Sequence, residues 1–365
     1  MTHTARTASG LLALGSLLFL SAQASAQGDP QFEFYGDARF RLEFNDNDAG
    51  IGVKDRHRQR MRFRLGTNVI FDEEVKIGAR LVTGNPDDPN STHVDIGSGF
   101  DDMTVSLDRL FLTYTPASLD GLTVDIGKFP LRMLRNPVYG ELAWDADVQP
   151  EGLQMEYASG EWGVRFGMFE QLHQSSAEDI WMSYTQIYWS QAKTAPSRFE
   201  TALAYFFHGD PNPDSGDPFA ISRDDPLYGN ALSGGQFVSD YGVLNAMAAF
   251  HTGDFVFSGE LFHNTRAADG LGDSGAAVGA AWKSGDHKLY YQFQAIEQDA
   301  VFAPYAQDDF LIATNTRAHV AGWILRLTER MSMRVWVLVS EPEEMLAGFP
   351  TDTVYRFRAE LNLDF

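Results

Sequence analysis

The chain has 365 residues, with 50 acidic against 28 basic side chains, a net charge of −22 and no cysteine. Such an acidic surface argues against nucleic acid as a partner, because phosphate backbones attract basic proteins. The lack of cysteine excludes disulfides and Cys-based zinc, iron–sulfur or thiol chemistry.

The first 26 residues have the layout of a secretory signal peptide. Arg6 precedes an apolar stretch from Leu11 to Leu20, and Ala24-Ser25-Ala26 offers a small-residue cleavage site. The apolar stretch is too short to span about 30 Å of hydrocarbon as a helix. We therefore expect export through the Sec pathway, cleavage after Ala26 and a mature chain over residues 27–365.

Strict alternation of apolar and polar residues begins directly after this segment. One face carries Phe32, Phe34, Gly36, Ala38, Phe40, Leu42 and Phe44. The other carries Glu33, Tyr35, Asp37, Arg39, Arg41 and Glu43. A period of two over thirteen residues predicts one long amphipathic strand. Strands of soluble sandwiches are usually shorter, at about five or six residues.

The next segment shows the same alternation with a row of arginines. They are Arg56, Arg58, Arg60, Arg62 and Arg64, with Met61, Phe63, Leu65, Thr67 and Val69 on the opposite face. A short polar turn at 72–74 leads into a third alternating strand with Lys76 and Arg80 on its polar face. The pattern predicts an up-and-down hairpin.

Short and long connections alternate along the rest of the chain. The short ones lie near 116–121, 159–161, 191–196, 251–254, 284–287 and 328–331. The long ones lie near 45–54, 84–103, 130–150, 172–179, 209–235, 265–274, 299–314 and 341–350. The count gives about 16 strands, and 14 to 18 stays open because 104–115, 179–191, 236–250 and 315–327 have mixed faces. The predicted fold is an all-β, transmembrane, antiparallel up-and-down barrel.

The last strand ends on an aromatic residue. Thr353, Tyr355, Phe357, Ala359, Leu361, Leu363 and Phe365 share its apolar face. A terminal phenylalanine after alternating apolar residues resembles the signal that the barrel-assembly machinery reads. This resemblance implies that machinery as a partner and the outer membrane of a Gram-negative cell as the location.

A barrel of this size encloses water, so the polar face predicts pore-lining residues. They are Arg39, Arg41, Arg56, Arg58, Arg60, Arg62, Arg64, Arg80, Arg356 and Arg358, with Lys76, Arg165, Lys288 and Arg334 on the same face. An arginine on the lipid face would cost about 2–4 kcal/mol at mid-membrane. The alternative is that these residues pair with acids across the wall and only hold the shape of the barrel.

The connection over residues 130–150 is a candidate constriction loop. Its acidic residues Glu141, Asp145 and Asp147 would face the arginine row if the segment folded into the lumen. The alternative is an external loop that packs on its neighbours through Trp144 and Tyr139. Acidic pairs in other long connections, including Asp308 and Asp309, predict a solvated external rim in preference to calcium sites.

The stretch from Leu107 to Tyr157 resembles the bacterial family catalogued as putative porins. It contains DRLFLTYTP, LDGLTVDIGKFP and, most specifically, the W-D-x-D-x-x-P-E-G run at Trp144–Gly152. The resemblance implies an outer-membrane barrel with pore activity and no assigned substrate. Porins of sixteen strands that resemble this chain are often trimers, and the small residues of Ala276–Ala281 would suit close packing.

We therefore predict a passive porin for small hydrophilic solutes or ions, with outer-membrane lipid and lipopolysaccharide around it and no metal or cofactor. The net charge favours cations at the mouth, whereas the arginine row favours anions at the waist. One alternative is a structural or adhesive barrel with a plugged lumen. Another is a barrel hydrolase, which the scattered histidines and the absence of a G-x-S-x-G or H-E-x-x-H run disfavour, so we expect no enzyme.

Overall fold

The computed structural model describes residues 29–46, 54–97, 99–174, 177–212, 229–345 and 351–365. The predicted signal peptide lies outside the described residues, and its cleavage stays a prediction. In this part of the chain, no helix is both long enough and apolar enough to cross a bilayer.

Sixteen long strands follow one another along the described residues. They are β1 (Gln31–Asp46), β2 (Arg56–Ile70), β3 (Val75–Thr83), β4 (Val105–Tyr114), β5 (Leu122–Lys128), β6 (Glu151–Ser159), β7 (Trp162–Leu172), β8 (Ile180–Ser190), β9 (Ser197–His208), β10 (Gly242–Thr252), β11 (Phe255–Asn264), β12 (Ser274–Ser284), β13 (His287–Ile296), β14 (Thr316–Arg326), β15 (Met331–Pro342) and β16 (Val354–Asp364). A two-residue strand, Val94–Asp95, also pairs with β2. One 3₁₀ turn, Ala303–Tyr305, lies between β13 and β14.

Each long strand pairs antiparallel with its neighbours in sequence, and the first strand pairs with the last. The pairing of β1 with β16 extends from Asp37 opposite Asp364 to Asp46 opposite Tyr355. The sheet is therefore closed on itself and has no free edge. The predicted all-β antiparallel barrel and the count of sixteen strands are confirmed.

Alternating short and long connections join the sixteen strands, as predicted. All the short turns lie at one end of the barrel and the long connections begin at the other end. The register between β3 and β4 shifts at Arg80/Leu81, where β4 contains one extra residue, Asp108. This bulge explains the mixed faces that the sequence shows over 104–115, because an extra residue inverts the alternation.

The outer face of the barrel is apolar and the inner face is largely polar. Phe32, Phe34, Leu203 and Leu261 are among the exposed large side chains on the outside, each at least half exposed. Alternate residues inside are buried polar side chains such as Gln186 and Gln292. Closure pairs the backbone groups and leaves apolar side chains outside, so the exposed face suits a bilayer.

Two long connections fold into the barrel and fill part of its interior. We call residues 129–150 the crossing segment and residues 297–315 the second inner segment. Phe129, Leu142 and Trp144 of the first and Phe302 of the second are almost fully buried. They join inward-facing wall residues in one apolar cluster, which includes Phe169, Met182, Phe206, Val243, Phe262, Ile296, Ala318 and Val320.

Small residues on the inner face of β12 make room for the crossing segment. A Cβ atom added to Gly279 would lie 2.9 Å from a methyl carbon of Val138, and Ala277 and Ala281 are buried on the same face. A larger side chain at Gly279 would therefore displace the segment. Half of the Ala276–Ala281 stretch, which the sequence analysis proposed for packing between subunits, therefore faces inward.

Candidate functional site: a charged waist inside the barrel

The crossing segment extends over the interior of the barrel and makes hydrogen bonds to several parts of the wall. The Leu134 N–H donates to Gln186 Oε1 on β8 over 2.8 Å, and Asn136 Nδ2 donates to Gln292 Oε1 on β13 over 3.2 Å. Its far end meets the second inner segment, where the Asp145 N–H donates to the Tyr305 carbonyl over 2.7 Å. The segment is therefore internal, which excludes the alternative of an external loop.

Trp144 and Tyr139 hold the crossing segment in place from inside. The Trp144 ring stacks on Phe206 with centroids 6.2 Å apart and lies 5.3 Å from the ring of Tyr305. The Tyr139 hydroxyl donates to the second inner segment, with Gln307 Oε1 and Asp309 Oδ2 both at 2.7 Å. The two inner segments thus stabilise each other as well as the wall.

A cavity of about 180 Å³ lies between the crossing segment and the wall. We call it the waist. Its basic residues are Arg39, Arg41, Arg62, Arg64 and Arg334, and its acidic residues are Glu141, Asp145, Asp147, Asp308 and Asp309. His93, Asn90, Ala146 and Trp336 complete the lining. The structure therefore places four of the predicted pore-lining arginines beside all three predicted constriction carboxylates.

Asp147 is the acid that connects the crossing segment to the arginine row. Its carboxylate accepts hydrogen bonds from Arg64 Nη1 and Thr92 Oγ1, both at 3.0 Å, and lies 3.8 Å from Arg62 Nη1. Asp145 has a different role, because its carboxylate accepts the N–H of Asp147 over 2.7 Å. One carboxylate therefore holds the segment to the wall, and the other shapes the local backbone.

Most arginines of β2 are paired with acids. Arg62 Nη2 lies 2.7 Å and Arg64 Nε 2.5 Å from the Asp37 carboxylate, while Arg60 Nε lies 2.9 Å from Asp95. Arg58 forms an ion pair with Glu43. Arg56 is exposed near the long-connection end. The row faces the interior, but neighbouring carboxylates compensate much of its charge.

Four polar side-chain contacts cross the pairing of β1 with β16, one of them between Arg39 Nε and Glu360 Oε2 over 3.8 Å. Arg41 Nε lies 2.7 Å from Glu360 Oε1, and Arg39 Nε donates to Asn362 Oδ1 over 2.7 Å. Arg358 Nε lies 2.6 Å from Glu43 Oε2. These contacts join residues from opposite ends of the chain.

The second inner segment covers the remaining predicted arginines of β16. Arg358 also forms an ion pair with Asp309, and Arg356 donates to the carbonyls of Asp308 and Asp309. Only 1% of Arg358 and 6% of Arg356 is exposed, so contact with this segment shields both from lumen water. Arg80 is also buried and pairs with Asp108 at the bulge of β4.

The sequence suggested that Asp308 and Asp309 lie on a solvated external rim, and this prediction is wrong. They fold inward because Arg356 and Arg358 bind the backbone and the carboxylate of this segment. Although burial alone would raise it, Arg358 and Arg41 lower the pKa of Asp309 to about 2. Burial and the neighbouring Asp309 raise the pKa of Asp308 to about 6.

The crossing segment carries two carboxyls with raised pKa values, and burial together with the charge of Glu141 holds the pKa of Asp145 well above its usual range. Burial, with a further contribution from the negative charge of Asp309, raises the pKa of Glu141 to about 7. Burial and four nearby arginines, the first of them Arg41, hold the pKa of His93 well below its usual range. The waist therefore contains groups that titrate near neutral pH beside a histidine that stays uncharged.

One group of side chains in the described part of the chain has the spacing of metal ligands. Glu170, His173 and Asp179 lie near the outer ends of β7 and β8, with ligand atoms within 4.8 Å of one another. His173 Nδ1 lies 2.9 Å from Asp179 Oδ1 and 3.2 Å from Glu170 Oε1. These mutual contacts account for the grouping.

Residues 47–209 match the family described as "putative porin". The match contains the arginine row, the crossing segment and the W-D-x-D-x-x-P-E-G run, so the resemblance inferred from the sequence is confirmed. The search of curated proteins found no match.

Solved porin structures share the fold at low sequence identity. OprB of Pseudomonas putida is 13% identical with a TM-score of 0.59, and the alignment covers 92% of this chain and 94% of that one. OmpF of Salmonella typhi is 8% identical with a TM-score of 0.58, covering 92% and 98%. A mutant of the Rh. blastica porin is 12% identical with a TM-score of 0.55, covering 92% and 100%. The sixteen-stranded barrel is therefore a porin fold.

Proposed function

We propose that this chain is an outer-membrane porin through which small hydrophilic solutes or ions diffuse passively. The observation that carries the proposal is the waist, where arginines of β1, β2 and β15 and carboxylates of both inner segments line one narrow cavity. Such an arrangement sets up a strong local field that orients and selects polar solutes in a narrow, water-filled path. The "putative porin" match and the barrel fold support the same function.

The proposed roles of the predicted residues fall into two groups. Arg39, Arg41, Arg62 and Arg64, with Glu141, Asp145 and Asp147, line the waist and would set the field that permeating solutes meet there. Arg80, Arg356 and Arg358 do not line the waist and would hold the wall and the second inner segment, because each contacts a neighbouring acid or carbonyl. Arg56, Arg58 and Arg60 would act nearer the outer mouth.

Single-channel recording in a planar bilayer tests the proposal. Purified protein whose mobility on a gel changes with heating is folded, and it should give stable conductance steps. A reversal potential across a salt gradient then reports whether anions or cations are preferred. Folded protein that passes no current would overturn the proposal.

A plugged structural or adhesive barrel is the second candidate. The apolar cluster that both inner segments form with the wall favours it, since buried side chains of this cluster occupy part of the interior. This candidate predicts no current from folded protein. We propose no catalytic activity, and assays on phospholipid and peptide substrates test that point.

The chain would reach its place by cleavage of residues 1–26 after Sec export and by assembly through the terminal strand. Phe365 contributes to that strand, since its N–H and C=O both pair with Gly36 over 3.0 and 2.9 Å. A Phe365→Ala variant should reduce the heat-modifiable fraction in outer membranes, and an unchanged fraction would contradict this. Lipid and lipopolysaccharide would surround the outer face.

A homotrimer is our proposal for the oligomeric state. Native electrophoresis of detergent-extracted protein tests it, and a species with the mass of one chain would contradict it.

A further inference from the structure

The positive charges of the lumen differ in how well they are compensated. The β2 arginines at positions 58, 60, 62 and 64 each form an ion pair with a carboxylate. In the described part of the chain, by contrast, neither Arg334 on β15 nor Lys288 on β13 has a carboxylate within ion-pair distance, although Glu360 and Asp309 act on Arg334 from farther away. Arg39 is intermediate, because its Nε lies 3.8 Å from Glu360 Oε2. An uncompensated cation attracts an anion more strongly than one whose carboxylate is already in contact.

Aromatic side chains hold Arg334 with its charge directed to the waist. Its Nε donates to the Tyr290 hydroxyl over 2.8 Å, and its guanidinium carbon lies 3.7 Å from the centroid of the Trp336 ring. The Trp336 ring covers one face of the guanidinium, and the Nε hydrogen bond uses one edge. The terminal amino groups, which bind the two oxygens of an oxyanion side by side, have no protein partner among the described residues.

Lys288 and Arg334 both lie against Tyr290. The Lys288 ammonium is 5.6 Å and the Arg334 guanidinium carbon 5.4 Å from the centroid of this ring. Arg334 lines the waist, whereas Lys288 lines a larger cavity of about 580 Å³ at the short-turn end of the barrel. Tyr290 therefore contacts both a cation at the waist and a cation at the short-turn end of the barrel.

Among the described residues, three further groups that line the waist lack a hydrogen-bond partner, namely Trp336 Nε1, His93 Nε2 and Asn90 Oδ1. Trp336 is 2% exposed and His93 is 8% exposed. An indole N–H can only donate, so an acceptor on a solute would satisfy it. The waist is smaller than pockets for drug-sized ligands, which are about 300–1,000 Å³, and therefore suits a small solute.

We infer that Arg334 is the centre of an anion-binding step, a site along the path that binds small oxyanions, namely carboxylates or phosphate. Arg39 lies beside Arg334 in the waist, and Lys288 lies towards the short-turn end of the barrel. The inference rests on the proposed porin function and moves the selective charge away from the β2 row. A guanidinium held by two aromatic residues presents a preorganised fork to a carboxylate or phosphate.

Reversal potentials across a potassium chloride gradient test the location of this step. In an Arg334→Gln/Lys288→Gln double variant, we expect the anion-to-cation permeability ratio to fall by about tenfold, at the low end of the enrichment that charge-lined clefts produce. The matched control is Lys193→Gln in an exposed short turn, which should leave the ratio unchanged. An unchanged ratio in the double variant, with a lower one in Arg62→Gln/Asp37→Asn, would overturn the inference.

Block of the chloride current tests the ligand class. Inorganic phosphate and succinate are added separately to one side of the wild-type channel. If the step binds both oxyanions, each should reduce the current. If only one of them reduces the current, the ligand is a phosphate or a carboxylate accordingly. Arg334→Gln should abolish the block, and Arg334→Lys should weaken it while keeping the anion preference, because lysine retains the charge and loses the fork. Block that persists in Arg334→Gln would overturn the inference.

The two proposals fail in different ways. If folded wild-type protein passes no current, no reversal potential exists and the porin function itself fails. If the channel conducts and neither Arg334 nor Lys288 affects its selectivity or its block, only the anion-binding step fails. The heat-modified mobility of each variant, checked first, separates both outcomes from misfolding.

Discussion

Arg64 on β2 donates a hydrogen bond of 3.0 Å to Asp147 on the crossing segment, 83 residues further along the chain. This contact joins the wall that carries the arginine row to the crossing segment inside the barrel. The Thr92 hydroxyl bonds to the same carboxylate from a third part of the chain. The position of the segment, and with it the width of the waist, therefore depends partly on one carboxylate.

We expect Asp147→Asn to increase the preference for anions. The substitution removes a negative charge from the waist and leaves Arg62 and Arg64 with Asp37 as their remaining acid partner. The measurement is the reversal potential across a salt gradient. Asp102→Asn, in an exposed part of a long connection, is the control with the same change of charge. A lower or unchanged anion preference in Asp147→Asn would contradict the proposed place of this residue.

Removing the ring of Trp144 should loosen the crossing segment. The side chain is 2% exposed and packs against Phe206 and Tyr305, and loss of such a buried ring costs about 3–5 kcal/mol. We expect Trp144→Ala to raise the conductance, to add current fluctuations and to lower the temperature of the heat-induced mobility shift. Trp162→Ala, on the outer face, should leave the conductance steady. Unaltered conductance in Trp144→Ala would show that the segment does not limit the path.

Anion preference should fall as the pH rises from about 5 to about 8. The pKa of Glu141 is raised to about 7 and that of Asp308 to about 6, so both carboxyls are largely neutral at the lower pH and ionised at the higher one. Ionisation adds two negative charges to the waist, which repel anions. Reversal potentials measured over this range check the sign. Glu141→Gln should flatten the curve, whereas Glu329→Gln in an exposed turn should not, and a rising anion preference would contradict the assignment.

Arg358→Gln should destabilise the folded barrel. The substitution removes the buried cation that pairs with Asp309 and leaves Glu43 with Arg58 as its partner, and breaking a buried pair in this way costs about 3–5 kcal/mol. The temperature of the heat-induced mobility shift reports the loss. Arg317→Gln removes an exposed arginine paired with Glu343, so it should cause no measurable change. Equal temperatures for both variants would show that Arg358 does not anchor the second inner segment.

The strands could be predicted from the sequence because each has its own local pattern. Alternation over β1 and β2 defined the two faces, and the alternation of short and long connections gave the number of strands. The inward course of 130–150 was one of two alternatives, since acidic and aromatic residues occur in external loops as well. Only contacts with residues distant in sequence, such as the hydrogen bond from Leu134 to Gln186, distinguish an internal segment from an external loop.

The compensation of charge could not be predicted, because it depends on residues distant in sequence. The row of arginines on β2 looked like the strongest positive feature, and the pairing with Asp37, Glu43 and Asp95 became evident only in the fold. Likewise, Phe169, Met182 and Phe206 face inward on strands that should be polar inside. The inner segments pack against these three residues, and the sequence pattern of each strand alone does not indicate this packing.

The pairing of β1 with β16 also specifies its own register. Along the inner face, Arg39, Arg41 and Glu43 lie opposite Asn362, Glu360 and Arg358. A slip of two residues in one direction would put Arg41 opposite Arg358, and a slip of two in the other would put Glu43 opposite Glu360. A slip of one would turn the charged row towards lipid. Because like charges repel across a strand pair, these pairs favour the native alignment, in which Asp37 lies opposite Asp364 but is itself paired with Arg62 and Arg64.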